Sequence, residues 1–132
     1  MIRIRKLANE CDHRGDKYFL PHDMLDFIGK IEEMHYVSVK PDAIRGNHVH
    51  KTGRESVILT CTDSWRMSWM LPGKTETHNQ DYKDTGVYLI EIEAGTPHAF
   101  KNTGNASLYL YCFSDLKYNP AHPDTERYSV IG

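Results

Sequence analysis

The run Glu55-Ser56-Val57-Ile58-Leu59-Thr60-Cys61 constrains the fold more than any other feature of the chain. Successive side chains of an extended strand point to opposite sides, so Glu55, Val57, Leu59 and Cys61 share one face and Ser56, Ile58 and Thr60 the other. The first face is apolar at every position except Glu55, and it needs a second layer to cover it. The same period of two recurs along the chain. Ile2 and Ile4 alternate with Arg3 and Arg5, Trp65, Met67 and Trp69 share a face, and Val87 to Glu93 and Ser107 to Ser114 read as further strands. The stretch from Ile31 to Val39 is rich in β-branched and aromatic residues and stops at Pro41-Asp42. Thr62-Asp63-Ser64, Pro72-Gly73 and Gly95-Thr96-Pro97 punctuate the rest, and residues 73–86 read as a polar loop. Only Met24, Leu25, Phe27 and Ile28, after Pro21-His22-Asp23, suit one or two helical turns. Many short strands at short spacing, with no long helix, predict an all-β chain. The architecture expected is a small, jelly-roll-like double-stranded β-helix barrel, one domain spanning residues 1–132.

Glu55 is the exception on an otherwise apolar inner face, and a buried carboxylate needs a partner. Candidates stand just upstream, in Arg45-Gly46-Asn47-His48-Val49-His50. Residues two apart on a strand project together, so His48 and His50 face the same way. A third histidine, His98, opens a later strand behind Gly95-Thr96-Pro97. Three imidazoles and one carboxylate converging inside a barrel form an open metal site. The expected ligands are His48, His50, Glu55 and His98 for one divalent ion. Zinc comes first, and the same donors suit iron, manganese and nickel.

The patterns H-x-H-x4-E and G-x-x-H-x3-N resemble the two motifs of the cupin superfamily. Three segments narrow the resemblance: RGNHVHKT, AGTPHAFKNTG and NPAHPDTERYSV. They resemble the C-terminal cupin domain of the bifunctional capsular polysaccharide assembly enzymes and, more loosely, the nucleotide-sugar 3,4-ketoisomerases and 3,5-epimerases. The resemblance runs from about His13 to the end. It implies a zinc-carrying cupin that epimerises C3 of a UDP-linked 4-keto sugar in surface polysaccharide synthesis. It also implies a homodimer, since the first strand of a cupin is often exchanged with or added to a second subunit. In the metal-free relatives a histidine of the dyad transfers the proton, which makes His50 the residue common to both readings. Two departures mark a divergent member. Cys61-Thr62-Asp63-Ser64 stands where the first motif usually closes on glycine, and Glu93 stands where the second usually has proline.

Isomerisation beside a ketone needs a base for the α-proton and positive charge for the oxygen that gains an electron pair. The candidate bases are His50 and Tyr36, the latter on the strand before the dyad. Tyr109 and Tyr111 read as core aromatics, Asn102 as a residue securing its own turn, and Arg45 as a turn cation. His13, His22, His35 and His122 fit no ligand spacing. A net charge of −2 gives no basic field for nucleic acid. No apolar run approaches the length of a membrane span, and the N-terminus lacks a signal-peptide core. The three cysteines, Cys11, Cys61 and Cys112, are odd in number and follow no zinc-ribbon spacing, which points to free thiols and a cytoplasmic setting. The expected partner is a small nucleotide-linked sugar. A metal-dependent cupin dioxygenase, a polyketide cyclase, and a non-enzymatic sugar- or metal-binding module stand as alternatives.

Overall fold

The computed structural model describes residues 1–131. Ten strands and one short helix follow in the order β1 (Ile2–Lys6), α1 (Asp23–Ile28), β2 (Glu33–Val39), β3 (Ile44–His50), β4 (Glu55–Cys61), β5 (Trp65–Met70), β6 (Thr77–Tyr82), β7 (Gly86–Ile92), β8 (His98–Asn102), β9 (Leu108–Ser114) and β10 (Thr125–Arg127). They form two antiparallel five-stranded sheets, β1-β7-β4-β9-β2 and β10-β3-β8-β5-β6. The apolar faces of the two sheets meet in one core, built from Val39, Val57, Leu59, Trp65, Met67, Tyr88, Ile90, Phe100, Leu108 and Leu110 among others. This is the all-β double-stranded barrel that the alternation predicts.

Parity assigns each side chain. On β4, Val57, Leu59 and Cys61 face the core together with Glu55. On β1, Ile2 and Ile4 pack on the core, while Arg3 and Arg5 point outward and converge on the buried carboxylate of Glu91, at 2.6 and 2.7 Å. Arg5 also grips Asp23 at the start of α1. A second, smaller cluster of Leu7, Met24 and Leu89 lies on this outer side of the first sheet, with Ile58, Val87 and Phe113 partly buried against it.

Two sequence expectations need correction. The strand of Ile2 and Ile4 is expected from the sequence to have little of its own sheet to join, but β1 pairs with β7 of the same chain along its whole length, Ile2 opposite Ile92 to Lys6 opposite Tyr88. Residues 73–86 are not all loop, because Thr77–Tyr82 form the edge strand β6. Its residues are polar and carry little strand signal. Pairing with β5 imposes the extended form, through the Arg66–Asp81 ion pair, the Ser68–Asn79 hydrogen bond and Tyr82 stacked on Trp65 at 4.7 Å.

The C-terminal tail is built into the second sheet. β10 pairs with the dyad strand, Thr125 opposite His50 and Arg127 opposite His48. Asn47 completes the attachment. Its amide nitrogen donates to the Ile131 carbonyl, and its amide oxygen accepts from the backbone N–H groups of Val130 and Ile131.

A histidine cluster at one end of the barrel

The histidines reach one point because β3 carries a bulge beside them. Gly46 pairs with Ala99 and His48 with His98, leaving Asn47 as the extra residue. Gly46 and Asn47 both have positive φ, 96° and 53°. A Cβ on Gly46 would stand 2.9 Å from the His98 carbonyl oxygen and 3.1 Å from the Ala99 Cα, so the close approach of β3 to β8 requires glycine. The turn before His98 is tied to the dyad strand as well, by the Gly95 N–H donating to the His50 carbonyl at 2.7 Å.

His48, His50, Glu55 and His98 all come together. The Nε2 atoms of His48 and His98 lie 3.2 Å apart. Two nitrogens bound to one tetrahedral zinc, each about 2.0–2.1 Å from it, sit roughly 3.3 Å apart. Glu55 presents Oε2 at 3.4 Å from His50 Nε2 and Oε1 at 3.9 Å from His98 Nε2. The His50 contact is not aligned as a hydrogen bond, and His50 Nε2 is a buried nitrogen with no hydrogen-bond partner. One donor atom from each of His48, His50 and His98 lies within 4.8 Å of the others. His98 is fully buried, and its Nδ1 lies 2.9 Å from the Thr96 carbonyl oxygen. A carbonyl only accepts, so Nδ1 carries the hydrogen and the Nε2 lone pair faces the cluster.

The electrostatics suit a cation. Burial, reinforced by the facing imidazoles of His98 and His50, pulls the His48 pKa down to about 4. Burial also lowers His98. Burial acts downward on His50 too, but the adjacent Glu55 carboxylate, with Asp124 and Asp115 behind it, outweighs it and raises the group. Burial pushes Glu55 up, and the close contact and charge of His50, with His98 and His48, pull it further down, so the net shift is downward. Burial thus favours the neutral form of His48 and His98, and the imidazoles favour the ionised form of Glu55, as metal ligation needs. Glu55 in turn favours the charged form of His50, whose proton an ion would have to displace. The orphaned His50 nitrogen and the paired Nε2 atoms fit a divalent ion.

His48, His50 and Glu55, with His98 buried behind them, form the floor of a cavity of about 410 Å3 whose walls include Glu33, His35, Ser114, Leu116, Lys117, Tyr118, Asp124 and Thr125. Asp124 fixes the rim by accepting hydrogen bonds from the Thr52 N–H and hydroxyl and from the Gly53 N–H. Tyr36 does not face this cavity. It lies on the outer side of β2, 54 % exposed, with its ring against Tyr109 and Tyr111. Strand parity is the reason: β2 pairs Tyr36 with Tyr111 on one face and His35 with Cys112 on the other. Tyr109 and Tyr111 are likewise outer-face residues and not core aromatics. His35, which fits no ligand spacing in the sequence, faces the cavity, and its inward alternation with Val37 and Val39 is the signal that identifies it. Asn102 lies at the other end of β8 from His98. It holds its turn by donating to the Val39 and Ala106 carbonyls and accepting from the Gly104 N–H. Arg45 is exposed, with Nε on the Ser38 carbonyl.

A two-sheet barrel with histidines from adjacent strands at one end, two in H-x-H spacing, defines a cupin. Residues 22–126 match the model of the polysaccharide biosynthesis C-terminal domain, and the chain belongs to that family. It is similar to the spore coat polysaccharide biosynthesis protein SpsL of Bacillus subtilis, with 23 % identity over 135 residues, 96 % of this chain and 86 % of the relative. Among solved structures it resembles a variant of the 3,4-ketoisomerase QdtA of Thermoanaerobacterium thermosaccharolyticum in complex with TDP-4-keto-6-deoxyglucose. That match has a TM-score of 0.70 and 17 % identity over 96 % of this chain and 86 % of QdtA. It also resembles the capsular polysaccharide assembling protein CapF of Staphylococcus aureus, with a TM-score of 0.68 and 19 % identity over 96 % of this chain but 33 % of CapF. Among the described residues, no helix is long and apolar enough to cross a membrane.

Proposed function

We propose that the chain is a sugar-nucleotide isomerase or epimerase of polysaccharide biosynthesis, acting on a nucleotide-linked 4-keto-6-deoxy sugar. The reading further assigns one divalent cation, zinc first, to His48, His50, Glu55 and His98. The observation that carries it is the convergence of three imidazoles and a buried carboxylate on one point, at the floor of a cavity open to a small molecule. The names of SpsL, QdtA and CapF support the sugar-nucleotide setting. A divalent ion at this point supplies positive charge for a keto oxygen that gains an electron pair. The chain supplies the proton acceptor. Tyr36 is withdrawn from that role by its outward placement, and the inward His35 takes it, because it faces the cavity from the first sheet while the dyad lies on the second. The adjacency of His50 and Glu55 supports a second reading, in which no ion is bound and His50, oriented by Glu55, removes the proton. The homodimer belongs to the same proposal. The exposed outer face of β2 and β9, with Met34, Tyr36, Tyr109 and Tyr111, supports it.

The test is proton exchange. Incubation with UDP- and dTDP-linked 4-keto-6-deoxy sugars in heavy water should place deuterium next to the ketone, at C3. Elemental analysis of the untagged chain separates the two readings, since a metal content near zero that cannot be restored supports the His50 base alone. No deuterium uptake from either sugar, together with oxygen consumption on an organic substrate, would replace the isomerase by a cupin dioxygenase. A monomer by light scattering at micromolar concentration would remove the dimer.

A further inference from the structure

The cavity has a second set of donors. His35 and Cys112 stand directly opposite each other on β2 and β9, and Glu55 reaches the same wall from β4, where it stands opposite Ser114. Side chains opposite each other on one face of an antiparallel pair have Cβ atoms about 4.5–5.5 Å apart, so the register alone brings the imidazole to the thiol. One donor atom each of His35, Glu55 and Cys112 lies within 4.8 Å of the other two. The Cys112 thiol is buried and in no disulfide, while His35 is exposed to the cavity mouth. The cluster is thus reached from solvent on the imidazole side and walled on the thiol side.

We infer that His35, Glu55 and Cys112 form a second cation position that takes thiophilic divalent ions such as zinc, cadmium or cobalt, and that filling it inhibits the enzyme. Imidazole, carboxylate and thiolate together suit a borderline ion, and the sulfur distinguishes this position from the all-nitrogen-and-oxygen donors of the floor. Ligation exchanges the thiol hydrogen for the ion, and the proton leaves to solvent without any change of oxidation state. The floor cluster and this wall cluster share Glu55. An ion on the wall therefore draws on a carboxylate of the floor site and occupies His35. The inhibitory consequence rests on the function proposed above, whereas the binding itself rests only on the three side chains.

Cobalt(II) titration of the full chain, stripped with a chelator, tests the inference. A Cys11→Ser background removes the exposed thiol. The expected result is two phases. The first brings the visible bands of cobalt on nitrogen and oxygen donors. The second brings near-ultraviolet thiolate-to-cobalt absorption and one further ion per chain. Both Cys112→Ser and His35→Ala should lose the second phase and keep the first. His35 is exposed, so its replacement tests the site even if the buried serine impairs folding. In the deuterium assay, Cys112→Ser should retain exchange and escape inhibition by excess zinc. Saturation in the first phase without thiolate absorption overturns the second position and leaves the proposed function standing. Thiolate absorption in the first phase that survives His35→Ala also overturns it, by making Cys112 a ligand of the floor site. No cobalt uptake at all overturns this position and the cation reading of the proposed function together.

Discussion

The two ends of the barrel are made by the same strands and behave in opposite ways. β4 begins at Glu55 among the histidines and ends at Cys61 against the core. β8 begins at His98 and runs through Phe100 to Asn102. At the closed end Trp65 is fully buried, stacks on Tyr82 and Phe100 and meets Tyr88 edge-on. The turns there are stitched side chain to backbone and to each other, with Asp63 accepting from the Asn105 N–H and Ser64 meeting the Thr103 hydroxyl. At the open end a nitrogen of His50 has no hydrogen-bond partner, two imidazole nitrogens face each other, and a carboxylate is held below its usual pKa. Parity along a strand decides inside against outside. Distance along it decides packed against reactive. One end is arranged for packing, even though the buried Trp65 Nε1 there also has no hydrogen-bond partner, and the other gathers imidazoles and a carboxylate at one point.

That contrast can be broken by substitution. Trp65→Ala at the closed end should cost about 3–5 kcal/mol in denaturant unfolding, through lost burial and a residual cavity. A cost near that of a surface change would show that the closed end does not carry the fold. Gly46→Ala bears on both stability and the histidine cluster. It forces a side chain into a left-handed backbone and against the His98 carbonyl, so it should cost about 1–3 kcal/mol. It should also weaken cation uptake, because β3 and β8 must separate. Wild-type metal affinity in a folded Gly46→Ala chain would mean that the bulge does not set the histidine spacing.

Asn47→Ala removes the three side-chain hydrogen bonds that hold the tail. A loss of about 1–3 kcal/mol is expected from stranding the buried groups. Limited proteolysis should then cut after Ser114 sooner than in the wild type. An unchanged cleavage pattern would show that β10 pairing alone secures the tail. The smallest effect belongs to the outer face. Tyr36→Phe should change stability by no more than about 0.5 kcal/mol and leave deuterium exchange intact, because the hydroxyl points away from the cavity. A collapse of exchange in this variant would place the tyrosine at the chemistry and overturn the parity assignment.

The histidine floor was legible because its residues obey local rules. His48 and His50 are two apart on a strand, and Glu55 shares its face with Val57, Leu59 and Cys61. The barrel was legible for the same reason, from repeated alternation between turn residues. Tyr36 was misplaced although the same rule applies to it: Val37 and Val39 fix the inward parity of β2, and that parity selects His35. β6 was missed because its polar residues carry little intrinsic strand preference and depend on β5 for pairing. The tail was missed because Thr125–Arg127 is too short to alternate, and its partner Asn47 lies far away in the chain.

Strand periodicity, turn chemistry and the spacing of His48, His50 and Glu55 were determined by the sequence itself, since each depends only on residues a few positions apart. The pairing of His35 with Cys112, the nearness of His98 to His48, the capture of the tail by Asn47 and the pairing of β1 with β7 were decided by the tertiary structure. Each of these depends on register between strands distant in the chain, which is set when the two apolar faces are buried together and cannot be fixed by any local run of residues.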